Sequence, residues 1–308
     1  MTTQTVGTTL HIDGKSWGLL AVLSLIWGGS FLFVGIAIKE LPPLLIVMAR
    51  VSVAALILLP VHLVFKGPLP RNAKTWIGCG GMSVVNNAIP FTLIAWGQQH
   101  ITGGLASVAN ATTPMFAALF MALLAYEALT LRKVIALVIG FLGVVILQGA
   151  DFSDLGNQTW GNLAVVLASF FYGLSTPWSK KMLVGIPPLT IATCQLCVSA
   201  LIMAVVVLIF ADPTQYAAAS FKTWAALLAI AAISTSLAYL IFFRIIERAG
   251  PSFVTLVTML VPISAILLGY LFLNESLTIR DIVGALVIGS ALVIIDGRAL
   301  KWAGLKRL

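Results

Sequence analysis

The sequence predicts an all-α integral membrane protein with ten transmembrane helices, arranged as two inverted five-helix repeats related by a pseudo-two-fold axis. Three observations support this prediction. The composition is 60% hydrophobic and only 9% charged, apolar runs reach about 18 to 25 residues, enough to cross ~30 Å of hydrocarbon, and the two halves of the chain repeat each other. A soluble domain of 308 residues needs more polar surface, so the bilayer is the expected solvent.

Apolar runs bounded by charged residues, proline and glycine place the helices. The first run is long for a signal peptide and lacks a small-residue cleavage site, so it is expected to remain. The predicted helices are 17–38, 43–65, 75–97, 102–125 and 132–149, then 160–179, 188–210, 223–246, 252–273 and 280–296. They divide the chain into a cytoplasmic tail (1–16), a first repeat (17–149), a linker (150–159), a second repeat (160–296) and a basic cytoplasmic tail (297–308).

The repeat is visible as identical polar and structural residues in register. At an offset of 148 residues, Lys74-Thr75-Trp76 recurs as Lys222-Thr223-Trp224, Pro114 as Pro262 and Glu127 as Glu275. At an offset of 145, Trp27-Gly28 faces Tyr172-Gly173. Because each repeat holds five spans, an odd number, the second must enter the membrane from the opposite side, which makes the repeats inverted.

Basic residues concentrate on one side of the predicted membrane. Fourteen of the eighteen Lys and Arg residues fall on the side of the termini and three on the other, with Arg50 inside a helix. The positive-inside rule therefore predicts a multi-pass membrane protein with both termini in the cytoplasm. This distribution also accounts for the net charge of +8, and no nucleic-acid partner is expected.

The sequence indicates neither a cofactor nor a metal site. Cys79, Cys194 and Cys197 lie inside apolar segments and are interpreted as small apolar residues. No paired carboxylates, His/Cys/Asp cluster or Ser-His arrangement lies at membrane depth, so a membrane-embedded enzyme is disfavoured. A receptor-like scaffold is disfavoured by the inverted symmetry. Apart from lipid, the expected partner is a small-molecule substrate.

Arg50 is the charged residue placed well inside a predicted span. Such a cation is costly in hydrocarbon and is a functional candidate, which would attract an anionic group such as a substrate carboxylate. In the alternative, its side chain snorkels outward or bonds the broken ends of neighbouring helices. All ten acidic residues lie at span ends, links or tails, which favours facilitated movement over coupling through a midplane carboxylate.

Neutral polar and aromatic residues lie within the spans. A cavity with such walls suits an uncharged or zwitterionic solute with an apolar side chain. Alternatively, some of the aromatic residues, Trp96 among them, belong to interfacial belts. The candidate substrate-binding residues are Arg50, Asn86, Trp96, Asn110, Thr113, Tyr172, Ser234, Tyr239, Phe243 and Thr258.

Glycine and proline residues mark places where spans can bend. Alternating access to a midplane site requires such bends, although both residues are also ordinary in membrane helices. The candidate hinges are Gly28, Gly29, Pro90, Pro114, Gly173, Pro177 and Pro262. The small-residue pairs Ala136/Gly140 and Ala285/Gly289 are interpreted as static packing of the fifth and tenth helices rather than a dimer seam, so a monomer is expected.

These residues together resemble the drug/metabolite transporter superfamily, in its EamA branch. The resemblance rests on Trp27-Gly28-Gly29-Ser30-Phe31, Arg50, Pro114 with Glu127-Ala-Leu-Thr130, and Pro262 with Asn274-Glu275-Ser-Leu-Thr278. It implies ten helices, inverted five-plus-five symmetry and transport across the bacterial inner membrane.

Within that family the chain is similar to exporters of aromatic amino acids, which implies outward transport of aromatic and other neutral amino acids. Export of another hydrophobic metabolite or drug is the alternative. The chain departs from the family pattern at Tyr126 and Asn274, where a glycine usually precedes the glutamate. Glu127 and Glu275 are interpreted as structural residues that cap the following link.

Overall fold

The computed structural model describes residues 13–128, 130–148 and 156–296, and within these ranges the chain forms helices and no strands. Most of the two predicted tails and the predicted linker up to residue 155 lie outside the described residues. The helices are α1 (Gly14–Ala37), α2 (Pro43–Lys66), α3 (Ala73–Gly97), α4 (Gly103–Leu123), α5 (Leu131–Gln148), α6 (Asn157–Met182), α7 (Pro188–Phe210), α8 (Phe221–Ala249), α9 (Val257–Leu273) and α10 (Ile279–Asp296).

Six of these helices, α1 to α4, α7 and α8, are long and apolar enough to cross a membrane, and α9 is a shorter apolar helix. The all-helical membrane class is thereby confirmed, while the count of ten spans stays a prediction. The bounds differ from the predicted ones by a few residues. For example, α1 begins at Gly14 because the Asp13 carboxylate accepts a hydrogen bond from the Ser16 backbone N–H (2.9 Å), which extends the helix into the predicted tail.

Two helices contain an irregular turn at equivalent places. α3 has a six-residue π-helical turn at Ser83–Ala88, and α8 has one at Ala232–Leu237. A π turn leaves carbonyl groups with longer or missing partners, and side-chain hydroxyls fill this need. The Thr235 hydroxyl donates to the Ile230 carbonyl (2.8 Å). α4 is interrupted as well, at Ala111 and Thr112, directly before the proline-containing turn that begins at Thr113.

Helix packing joins the two halves of the chain. α1 packs against α8 and α9, whereas α6 packs against α3 and α4; α2 packs against α7 and α5 against α10. In the predicted repeat α1 corresponds to α6, and α3 and α4 correspond to α8 and α9. Each of these contacts therefore has its counterpart in the predicted repeat.

Gly28 and Gly173 are the points of closest approach in two of these contacts. A methyl group added at Gly28 would lie 2.3 Å from the Ser264 hydroxyl oxygen of α9, and one added at Gly173 would lie 2.5 Å from Phe116 Cβ of α4. Ser264 and Phe116 are themselves equivalent at the offset of 148 residues. Both glycines thus permit close helix crossing, and their role as hinges stays a prediction.

The α5–α10 contact agrees with the predicted packing of the fifth and tenth helices, but a different glycine makes it. A methyl group at Gly143 would lie 3.0 Å from the Ile288 backbone nitrogen, whereas one at Gly289 would meet no atom within 4 Å. A methyl group at Gly140 would meet Met115 of α4 and, at 3.4 Å, Ala291 of α10. The small-residue pattern therefore located the helix pair, and the tightest backbone approach is at Gly143, outside the pattern.

Candidate functional site

Arg50 is the eighth residue of α2 and has 9% of its surface exposed. Its Nε donates a hydrogen bond to the Thr235 hydroxyl of the α8 π-helical turn (3.0 Å), and its guanidinium carbon lies 3.6 Å from the centre of the Phe91 ring. The ion pairs of the described residues join other side chains, so Arg50 has no carboxylate partner there. The side chain therefore does not extend to the surface. It hydrogen-bonds to a neighbouring helix, and its positive charge has no carboxylate partner in the described residues.

Aromatic and amide side chains surround this guanidinium. The Phe91 ring meets Tyr172 of α6 edge to face at 6.5 Å, and Tyr239 of α8 stacks on Phe243 at 5.9 Å with an interplanar angle of 15°. Tyr172 and Tyr239 both lie close enough to Arg50 to interact with it electrostatically. The Gln195 amide of α7 donates to the Tyr239 hydroxyl (2.9 Å). We refer to Arg50, Phe91, Tyr172, Gln195, Thr235, Tyr239 and Phe243 as the Arg50 cluster.

Two pairs of residues in the cluster are related by the sequence repeat. Arg50 and Gln195 are 145 residues apart, and Phe91 and Tyr239 are 148 apart. The Arg50–Phe91 contact and the Gln195–Tyr239 hydrogen bond are therefore equivalent contacts of the two halves. Equivalent positions of the two halves therefore lie together in this cluster. The first half contributes a charged guanidinium and the second a neutral amide.

This arrangement suits a ligand with an anionic end and an aromatic or apolar body. Burial raises the cost of an unpaired guanidinium, and a bound carboxylate would offset that cost through charge-assisted hydrogen bonds. Because Nε is engaged by Thr235, the two terminal nitrogens remain as donors. The stacked Tyr239 and Phe243 rings offer a flat apolar wall beside them.

Comparison with known proteins identifies the family. The EamA-like transporter family matches residues 15–148 and again residues 159–295, once in each half. The chain belongs to this family. The predicted EamA membership is thus confirmed, and the chain is a transporter whose substrate the family does not specify.

Relatives of this EamA transporter match it along most of their length. The uncharacterized transporter YoaV of Bacillus subtilis is 25% identical over 88% of this chain and 92% of its own. Protein PecM of Dickeya dadantii is 25% identical over 89% and 90%, and the uncharacterized inner membrane transporter YedA of Escherichia coli is 23% identical over 91% and 90%. A solved crystal structure covers 96% of this chain and 99% of its own with a TM-score of 0.64 and 16% identity, which shows a shared fold.

Half of the predicted binding residues of this EamA transporter lie in or beside the Arg50 cluster. Asn86, in the π-helical turn of α3, lies beside the Tyr239 hydroxyl. The residues brought together are Arg50, Asn86, Tyr172, Tyr239 and Phe243.

The other predicted binding residues make contacts elsewhere. Ser234 donates to the Ile26 carbonyl (2.8 Å) and ties α8 to α1, while Thr113 donates to the Asn110 carbonyl of its own helix and Thr258 to the Thr255 carbonyl just before α9. Trp96 is 38% exposed near the end of α3, where its ring meets that of His100. Half-buried Asn110 has a side-chain oxygen with no partner in the described part of the chain. A direct role in binding stays a prediction for each.

Sequence reasoning missed Phe91 and left Gln195 and Thr235 out of its candidates. Phe91 stands directly after Pro90 in a uniformly apolar run, and nothing in that run separates it from a lipid-facing phenylalanine. Its equivalence to Tyr239 was the available signal, because Tyr239 was already a candidate. The same comparison pairs Gln195 with Arg50.

Proposed function

We propose that this EamA transporter exports neutral amino acids, aromatic ones included, from the cytoplasm by alternating access to the Arg50 cluster. The observation that carries the proposal is a buried arginine without a carboxylate partner in the described residues, set against stacked aromatic rings. The overall likeness of the sequence to the aromatic amino-acid exporter YddG supports the same substrate class.

The proposed transport cycle uses ten spans in two inverted repeats, with both termini in the cytoplasm. Matched glycines at matched helix crossings and matched residues in the cluster support this architecture. In an inverted repeat, each half can adopt the conformation of the other half. When the two halves exchange conformations, the central site opens to the opposite side of the membrane. The predicted proline and glycine hinges would carry the bending.

In this proposal the substrate is oriented by charge and stacking. Its carboxylate binds the terminal nitrogens of Arg50, and its side chain lies against Tyr239 and Phe243. Small neutral side chains would bind more weakly than aromatic ones, because they cover less of this apolar wall.

The proposal can be tested by counterflow of labelled phenylalanine into liposomes that contain the purified protein. Unlabelled phenylalanine should compete, whereas phenethylamine, which lacks the carboxylate, should not. Loss of hydrogen bonds to a charged group costs about 1.5–3 kcal/mol, so Arg50→Ala should weaken apparent affinity by about tenfold or more. Lys222→Met, a change at an exposed cation at the start of α8, is the matched control, and Asn110→Ala tests the unpartnered amide.

Two outcomes would contradict the proposal. One is competition by phenethylamine equal to that of phenylalanine, and the other is an Arg50→Ala variant with the affinity of the parent protein. Equal activity towards threonine, tryptophan and an unrelated organic cation would favour the alternative, an exporter of hydrophobic metabolites or drugs.

A further inference from the structure

The Glu275 carboxylate joins the two halves at one end of the bundle. Oε1 accepts a hydrogen bond from the Gly103 backbone N–H (3.0 Å) and Oε2 accepts one from Gly104 (3.2 Å). These N–H groups begin α4 in the first half, and Glu275 follows α9 in the second. A carboxylate at a helix N-terminus is stabilised by the orphan N–H groups and by the helix dipole. Glu275 therefore caps a helix of the other half, not the following link expected from the sequence.

The absence of a side chain at Gly269 leaves room for this contact. A methyl group at Gly269 would lie 2.3 Å from Glu275 Oε2, and one at Gly103 would lie 3.3 Å from Phe31 of α1. Glu275 also lines a cavity of about 490 Å³ that opens at this end of the bundle. The contact thus depends on Gly269 and lies next to a cavity that is open to the surface.

The equivalent glutamate, Glu127, follows its helix with the same backbone hydrogen bond, but its carboxylate has a different partner. The Glu275 N–H bonds the carbonyl of Gly269 (3.2 Å), and the Glu127 N–H bonds that of Met121 (3.1 Å), six residues back in both cases. However, the Glu127 carboxylate pairs with Lys133 at the start of α5 (2.7 Å), and its side chain is 48% exposed. Two equivalent residues are therefore seen in two different states.

We propose that Glu275 and Glu127 are alternating latches of the transport cycle. In the conformation seen here, Glu275 holds the start of α4 and closes the bundle below that surface cavity, where Leu105 is buried. In the opposite conformation Glu275 releases α4, while Glu127 leaves Lys133 and caps the helical turn Pro251–Val254 before α9. Each latch ties a glutamate of one half to a helix start of the other. This inference rests on the alternating access proposed above.

The two latches are unequal in strength. The residues equivalent to Gly103-Gly104 are Pro251-Ser252, and proline has no N–H to donate. Met121 stands where the second half has Gly269, so Glu127 has less room. The Glu275-latched conformation is thus the more populated one, which fits its appearance in the structure.

Cysteine accessibility can test the latches in the full-length protein in liposomes. With the three native cysteines replaced by serine, Leu105→Cys places a thiol at a position that is 3% exposed, directly after the latched Gly104. The initial rate of maleimide labelling then reports how often this end opens. Loss of a charged hydrogen bond shifts such an equilibrium by about tenfold. Glu275→Gln should raise the labelling rate by about this factor, and Glu127→Gln, added to a Lys133→Gln background, should lower it.

A third variant, Lys133→Gln, should also raise the rate, because it frees Glu127 to stabilise the opposite conformation. This variant leaves the Glu275 contact intact and gives a readout even if Glu275→Gln does not fold. Equal rates in all variants, or a rise when Glu127→Gln is added to Lys133→Gln, would overturn the proposal. If these shifts occur while amino-acid counterflow fails, the latches stand and the proposed substrate is wrong; the reverse result rejects the latches alone.

Discussion

At the scale of single residues, the difference between Arg50 and Gln195 gives the central site a direction. The two positions are equivalent in the repeat, and each contacts the aromatic residue of its own half. Only Arg50 carries a charge, so a substrate with one anionic end should bind in one orientation. The sequence singled out Arg50 as a functional candidate from the cost of a buried charge. It could not predict Phe91 as a partner, because a phenylalanine within an apolar run has no distinguishing pattern.

Asp13 gives a second prediction at the residue scale. It caps α1 and pairs with Arg248 at the end of α8 (3.0 Å). The backbone N–H and hydroxyl of Ser16, followed by Arg248, lower the pKa of Asp13 from 3.8 to about 2. A lowered pKa means that the stabilising effect is complete above the ordinary value and is lost as pH falls towards the folded one.

The variant Asp13→Asn should therefore lower the melting temperature by the same amount at about pH 5 and about pH 8. The difference from the parent protein should disappear only as pH falls below about 4 towards 2. Melting curves of the purified protein in detergent can measure this. A difference that already shrinks between neutral pH and pH 5 would contradict the assigned pKa.

At the scale of helices, the apolar runs predicted where the helices lie but not where their backbone hydrogen bonding becomes irregular. Helices in lipid can be apolar on all sides, so the periodicity that marks one face of a soluble helix is weak. The π-helical turns of α3 and α8 leave no trace in such a pattern. Proline does not mark them either, since Pro90 follows the first turn while Ala238 stands at the equivalent place after the second.

The helix crossings at Gly28 and Gly173 can be tested by matched alanine substitutions. Either change puts a methyl group within 2.5 Å of a neighbouring helix, and such overpacking destabilises by about 1–3 kcal/mol. Gly80→Ala in α3 is the control, because a methyl group there meets no atom within 4 Å and alanine favours helix. Thermal unfolding should show a lower midpoint for the first two variants only. Three equal midpoints would mean that the crossings are looser than described.

At the scale of the whole molecule, equivalent residues meet at the centre and differ at the ends. The Arg50 cluster joins matched positions, whereas Glu275 and Glu127 hold different partners. A second carboxylate, Glu40, caps the start of α8 at Ser220 (2.8 Å). The hydrogen bonds that it accepts from the Ser220 backbone N–H and hydroxyl lower the pKa of Glu40. Such differences are expected of an inverted repeat that is open to one side at a time.

Facilitated transport is the prediction that belongs to the whole molecule. All ten acidic residues of the chain lie in its links, tails and helix ends, so a carboxylate that carries protons across the midplane is not expected. Phenylalanine uptake into liposomes should equilibrate without accumulation and should be unchanged by an imposed pH gradient. Accumulation driven by that gradient would show proton coupling and refute the prediction.

The sequence by itself determined the solvent, the family and the approximate helices, because apolar length and charged boundaries act locally along the chain. It also indicated the repeat, since identical residues in register need no structure to be seen. Only the tertiary structure decided which residues meet: Arg50 with Thr235, Glu275 with Gly103, and Gly28 with Ser264. These contacts join residues more than 170 positions apart, and they depend on helix rotation and crossing, which an apolar pattern in lipid does not specify.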